Sequence, residues 1–469
     1  MLRWTRSRVT TGLGHVFRHY NPYARAPPAL GSKQALEQMP ADVASKMTTP
    51  EEALDALGKP QHVVTAMAAC EPHGFFSHVH EAARANGWHG TRIQCANPSE
   101  AYPCFVDEDL VGKLKVEVMF LTPATRKLHG RDLVHYIPQH LSQWTRNMDK
   151  PDVFWGTCSL PDERGFVSLG PAAVYEPEAL DMAKVVVLEI NPHIPFTTGG
   201  TVVHTRDVNM FVTSERKPIT IPAAKADAID TRIAEYVVDL VPDGATIQLG
   251  IGGIPNAIAT LLRNKRDLGV HTEMMNDSMR ELYEAGVITG KHKTSERGVM
   301  TASFALGTAE LYHFLHHNPV VAFRAGSWVN DPYVIAKQHL MRSINTAVEI
   351  DVTGQVCSES VGHRELSGVG GAAETHIGAQ MSRGGRGIIA MRSSAALADG
   401  SHVSKIAFEL QRGAKVSVSR NDIDTVVTEY GVAALRGKSV AERVQALVAI
   451  AHPRFRDELL HQSREVGYL

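Results

Sequence analysis

The sequence predicts an α/β protein built from two related open α/β domains. Three observations point there. Apolar runs of strand length alternate with helical patterns, short turns of small residues follow the strands, and the two halves of the chain open in the same way. With 469 residues, the chain is long enough for two domains of ordinary size. Hydrophobic residues at 43% and charged residues at 21% fit a globular composition. No apolar run reaches about 18 residues, so no membrane-spanning helix is expected.

The chain begins with a basic leader. Arg3, Arg6, Arg8, Arg18, Arg25 and Lys33 all precede the first acid, Glu37, with Leu2, Trp4, Val9 and Phe17 interspersed. Such an Arg-rich, acid-poor stretch reads as an organellar transit peptide over residues 1–45, which predicts the mitochondrial matrix; a plain basic tail is the alternative. With those six basic residues set aside, 48 Lys and Arg against 50 Asp and Glu become 42 against 50. A body that acidic argues against a nucleic-acid surface.

The first domain is expected over residues 46–225. A short polar helix over residues 42–57 has Thr48, Thr49 and Pro50 as its start signals. A buried strand over 62–67 leads into the small-residue turn Ala68-Ala69-Cys70 and then a helix. Further strands are predicted over 116–121, 153–155 and 185–190, with a helix over 175–182. Lys217-Pro218 and Ile221-Pro222 mark the linker. The second domain, residues 226–469, repeats the opening: a helix over 228–240, a turn, a strand over 246–249, the loop Gly250-Ile251-Gly252-Gly253-Ile254-Pro255, and a helix over 256–263.

Several chemistries are excluded, and dinucleotide oxidoreductase chemistry is only weakly signalled. Gly437-Lys438-Ser439-Val440-Ala441 lacks the last glycine of a nucleophile elbow, and Val432 stands where a P-loop needs its first. Gly250 to Pro255 carries proline at the third glycine of a dinucleotide fingerprint, and Gly368-Val369-Gly370-Gly371-Ala372-Ala373 follows no clear strand. His80-Glu81 meets Arg84 where a zinc protease needs its second histidine, and no metal site is predicted. The five scattered cysteines, Cys70, Cys95, Cys104, Cys158 and Cys357, form no C-x-x-C pair and read as small core residues. Residues 345–356 read as a single strand in which Val348, Ile350 and Val352 face one side and Ala347, Glu349 and Asp351 the other. By pattern alone such acids are a half-exposed face.

A set of strings then carries a resemblance. Pro161 to Gly170, Glu189-Ile190-Asn191-Pro192, Gly250 to Asn256, His271-Thr272-Glu273-Met274 and Glu284 to Thr289 come first. Asn330-Asp331-Pro332, Glu349-Ile350-Asp351, Ser367 to Gly371, Val427 to Ala433 and Ile450-Ala451-His452-Pro453 follow in order. From about residue 60 onward the chain resembles the acetyl-CoA hydrolase/transferase family, a branch of the class I CoA-transferases that includes the hydroxybutyrate CoA-transferases. The resemblance implies the two-domain fold of that type, usually as a homodimer or higher homo-oligomer. It also implies CoA transfer from a short-chain acyl-CoA, acetyl-CoA foremost, to a small carboxylate through a glutamyl-CoA thioester. CoA is then a substrate, and no tightly bound cofactor is expected.

On this resemblance Glu349 is the matching nucleophile and Gly431 an oxyanion donor. Gly370 and Gly371 are neighbours of the site, and Gly326, Ser327, Trp328, Val329 and Asn330 lie where the family holds CoA. Asp351 either raises the pKa of Glu349 or accepts hydrogen bonds at the strand end. Relatives often carry Gly-Gly-x-x-Asp-aromatic-x-Arg-Gly-Ala, whereas here Thr375 replaces the aromatic and Ile377 the arginine. Loss of that cation weakens the hold on an acceptor carboxylate unless Arg383 or Arg386 substitutes. Water as acceptor, making the protein an acetyl-CoA hydrolase, is the first alternative, and a CoA-binding protein without turnover the second.

Overall fold

A computed structural model describes Gly31 and residues 39–469, apart from Arg131, Ala223 and Ala398. Most of the expected leader lies outside the described residues. Its last part does not: the helix Ala41–Ala44 buries Val43 completely. Just beyond it, Lys46 donates through Nζ to the carbonyls of Thr205 and Val208. The polar helix predicted over 42–57 is two helices, because Thr49 caps a new one, Pro50–Ala56. Its hydroxyl accepts from the Glu52 N–H while Glu52 reaches back to the Thr49 N–H.

Two sheets organise the chain. In the first, the strands Val134–Tyr136, Leu114–Val118, Thr91–Cys95, His62–Thr65, Val153–Cys158, Val185–Ile190 and Met210–Thr213 lie side by side in that spatial order. All are parallel. In the second, the order is Val321–Phe323, Met300–Ala305, Gly269–Met275, Thr246–Leu249, Arg342–Asn345, Arg386–Ala390, Thr425–Thr428 and Gly431–Ala434. Only the last pair is antiparallel. Each sheet therefore starts at its centre, winds three strands outward to one edge, then returns and winds to the other. The expected relation between the halves is in this shared winding. It sets a topological switch beside the first strand of each sheet, where a crevice opens at the carboxyl ends of the strands.

The domains share one hydrophobic cluster that runs from Phe154 and Tyr175 through Ile247 to Phe304 and Phe323. Main-chain contacts stitch the same interface: Gly326 N–H donates to Val174 O at 2.8 Å, and Ala173 N–H to Ser303 O at 2.8 Å. All five cysteines are free and buried.

The strand predicted over 345–356 differs most. The sheet strand ends at Asn345, and Glu349–Asp351 is a separate three-residue strand. It pairs antiparallel with Val356–Cys357 and parallel with Ile406–Ala407. Glu349, Ile350 and Asp351 are all buried, so the acids are not a solvated face.

Candidate active site

The strand Gly269–Met275 lies directly beside the central strand of the second sheet. Alternation along it sends His271 and Glu273 to one face, beneath the short helix Gly326–Val329. There, the buried His271 ring meets the Val329 carbonyl through Nε2 at 2.8 Å, and Trp328 packs against it with ring centroids 5.5 Å apart. One step on, Asn330 donates through Nδ2 to Glu273 Oε2 at 2.9 Å.

The loop ahead of the helix Ala372–Met381 closes on the same carboxylate. Gly370 adopts φ +54°, and a Cβ there would sit 3.6 Å from Glu273 Oε1. At Gly371 a Cβ would collide with Glu273 Oε2 and Asn330 Nδ2 together, so only glycine lets the main chain come this close. The Gly371 N–H lies near enough to the Glu273 carboxylate to favour its ionised form.

Burial pushes the Glu273 carboxyl up to about 7, and repulsion from Glu374 adds to it, against the pull of the Asn330 and Gly371 donors. Glu374 stands one helical turn beyond Gly371. Burial likewise pushes it up to about 7, although it accepts from the N–H and hydroxyl of Ser142 in the first domain. Among the described residues no lysine or arginine forms an ion pair with either acid. Two acids that resist ionisation thus face main-chain and amide donors, an arrangement suited to a carboxylate nucleophile.

Asn330, Gly370 and Gly371 were each singled out in the sequence, and the structure brings them together around Glu273. The rest of the expected CoA segment is pinned between the domains. Ser327 donates to Glu178 Oε1 at 2.6 Å, Gly326 and Val329 are buried, and a Cβ on Gly326 would come within 2.9 Å of Val174 O.

Glu349 is held apart from these groups. Its Oε1 accepts from the Gln411 N–H at 3.1 Å, and burial raises its pKa, with Asp351 adding repulsion. Asp351 is the acceptor at a strand end: Oδ1 takes the N–H groups of Thr353, Gly354 and Gln355 and the Thr353 hydroxyl, and Oδ2 takes the Gln355 amide. Gly431, at φ +137°, closes a hairpin opposite Thr428. A hydrogen-bonded chain through Glu429, Ser393 and Lys405 connects its hairpin to the strand of Glu349. Arg386 is paired with Arg342 at the amino-terminal end of the sheet, and Arg383 lies in the turn before it, whereas Glu273 is toward the carboxyl end. Both arginines thus stand at the opposite end of the sheet from Glu273.

Models of the acetyl-CoA hydrolase/transferase N-terminal domain and C-terminal domain match residues 34–223 and 307–463. The chain belongs to the acetyl-CoA hydrolase/transferase family. It is 42% identical over 314 residues to 4-hydroxybutyrate coenzyme A transferase of Clostridium kluyveri, covering 67% of this chain and 72% of that one. An acetyl-CoA hydrolase of Yarrowia lipolytica is more distant, 25% identical over 384 residues (69% and 70% of the two chains). The crystal structure of RipA from Yersinia pestis superposes with a TM-score of 0.86 at 32% identity, over 92% of this chain and 99% of that one. The protein is therefore an enzyme of the CoA-transferase and acetyl-CoA hydrolase type.

Glu273 falls between the two matched segments of this family. It was present in the sequence within His271-Thr272-Glu273-Met274, without a role. The signal available was its position: an acid near the end of a strand adjoining the glycine loop that follows Leu249.

Proposed function

We propose that the enzyme transfers CoA from a short-chain acyl-CoA, acetyl-CoA foremost, to a small carboxylate acceptor, with Glu273 rather than Glu349 as nucleophile. The observation that carries this reading is the convergence of Asn330, Gly370 and Gly371 on Glu273. The ionised carboxylate attacks the thioester carbonyl, the C–S bond breaks, and a mixed anhydride and CoA thiolate result. The thiolate then attacks the glutamyl carbonyl, releasing the acyl group as its carboxylate and leaving a glutamyl-CoA thioester. An acceptor carboxylate reverses the two steps. Each tetrahedral oxyanion needs fixed donors, which the Gly370–Gly371 backbone and the Asn330 amide supply.

Continuing the register that pairs Ile247 with Val270 sets Gly250 opposite Glu273 on the neighbouring strand. Gly250-Ile251-Gly252, at the carboxyl end of the central strand, therefore joins Gly326–Asn330 as the wall against which CoA lies.

Hydrolysis is the second reading, favoured by one observation: Ile377 stands in place of the arginine, and Arg386, with Arg383 before it, lies at the amino-terminal end of the sheet rather than beside Glu273. Incubation with acetyl-CoA and borohydride, followed by peptide mass spectrometry, is expected to modify Glu273 and leave Glu349 intact. Modification at Glu349 alone would reverse the assignment. Acyl-CoA formation with added propionate or succinate, compared with acceptor-free CoA release, separates transferase from hydrolase.

The basic leader supports import into the mitochondrial matrix. A cut ahead of Ala41 leaves the Val43 and Lys46 contacts intact, and mass spectrometry of the mature N-terminus tests it. The family likeness supports a homo-oligomer, which sedimentation analysis tests.

A further inference from the structure

The loop that delivers Gly370 and Gly371 is not held by its own domain alone. Glu359, at its root, accepts the N–H groups of Leu366 and Ser367 on its carbonyl and the Ser417 hydroxyl on Oε1. Its Oε2 instead accepts from the Tyr136 hydroxyl of the first domain at 3.2 Å. Arg126, also of the first domain, donates through Nε to the Leu366 carbonyl at 2.7 Å. Next along the loop, Gly368 packs so tightly on the Met119 carbonyl that a Cβ would collide with it and would sit 3.2 Å from the Tyr136 hydroxyl. Three contacts from the other domain thus converge on residues 359–368, immediately ahead of the paired glycines.

Arg126 is the most telling of the three. Among the described residues no carboxylate pairs with it, so its one hydrogen-bonded side-chain partner is a carbonyl across the domain boundary. The Tyr136–Glu359 contact fits the same reading, since burial and the nearby carboxylate push the phenol well above its ordinary pKa and keep it a donor.

We propose that Arg126 and Tyr136 are positioning residues, which hold the 366–371 loop so that the Gly370 and Gly371 backbone faces Glu273. The proposal rests on the reading of those glycines as donors to the thioester chemistry at Glu273. The first domain thereby completes a site whose nucleophile and donors all belong to the second. Catalytic donors misplaced by about 1 Å cost on the order of 100-fold in rate, so loosening this loop acts on turnover rather than on substrate affinity.

The test uses the full chain with Arg126→Met, Arg126→Lys and Tyr136→Phe beside wild type. Arg126→Met is expected to lower kcat about 10- to 100-fold while KM for acyl-CoA moves less than about threefold. Arg126→Lys should recover part of that loss, and Tyr136→Phe should show a smaller fall of the same kind. Amide hydrogen exchange over residues 366–371 should accelerate in Arg126→Met, with the strand Thr246–Leu249 unchanged. Unaltered kcat and unaltered exchange overturn the proposal. A raised KM at constant kcat also overturns it, because Arg126 would then be binding ligand. Should wild type itself show no turnover, the functional reading fails, and the exchange measurement alone decides whether Arg126 holds the loop.

Discussion

The amide of Asn330 gives its N–H to Glu273, while its Oδ1, buried in the same site, has no hydrogen-bond partner among the described residues. Asn330 is thus fixed by the carboxylate on one side and open to an incoming donor on the other.

Asn330→Asp should replace that donor with a second negative charge against Glu273. The nucleophile must be ionised to attack, and its carboxyl already stands at about 7. A like charge raises it further, so the acid limb of the kcat/KM profile should move to higher pH. Turnover at pH 7 should fall on the order of tenfold. A pH–rate profile of wild type and variant checks both.

Two glycines should respond in opposite ways. Gly371→Ala drives a methyl into Glu273 and Asn330 and should abolish turnover beyond about 100-fold, with borohydride trapping lost as well. Gly431→Ala meets nothing closer than Ile450 Cγ2 at 3.6 Å, but φ +137° strains any larger residue. It should cost about 1–3 kcal/mol in stability and leave kcat nearly unchanged. Urea titrations and steady-state kinetics on both variants separate these outcomes.

The buried acid also sets a stability slope. Folding raises the Glu273 pKa from its ordinary 4.5 to about 7, so between those values the folded chain holds more protons than the unfolded one. Stability from this group is full below about 4.5 and is lost as pH climbs through about 7. Glu273→Gln, which cannot ionise, should therefore melt higher than wild type at pH 8 and nearly level with it at pH 4.5. Thermal scans at the two pH values test the sign.

Glu349→Gln should keep the Gln411 contact and retain turnover within a few-fold of wild type. Asp351→Ala removes an acceptor of five hydrogen bonds and should destabilise the satellite sheet by about 2–4 kcal/mol. Circular dichroism melts alongside kinetics distinguish a structural acid from a reacting one.

Local signals carried much of the architecture. The strands over 185–190 and 246–249 and the helix opening at Ala228 stand where the alternation of strand and helix patterns predicted them. The site was legible only in pieces. Asn330, Gly370 and Gly371 were marked by resemblance, but which carboxylate they surround depends on contacts between residues 57 and 98 positions apart. Pattern reading also fused Asn345 to Glu349, because an apolar alternation continues across the break while the pairing partner changes. The grip of Arg126 on Leu366 spans 240 positions and leaves no local trace.

The burial of every cysteine bears on the thiol chemistry of CoA. In the proposed cycle a CoA thiolate is set free within the site before it attacks the glutamyl carbonyl. A surface cysteine would invite mixed-disulfide formation, which needs an accessible thiolate. Cys70, Cys95, Cys104 and Cys158 are shielded and pushed above the ordinary thiol range by burial, and Cys357 is fully covered. The folded enzyme therefore offers the CoA thiol no accessible cysteine to oxidise against, and a shift to an oxidising environment should leave it free of disulfide-linked CoA.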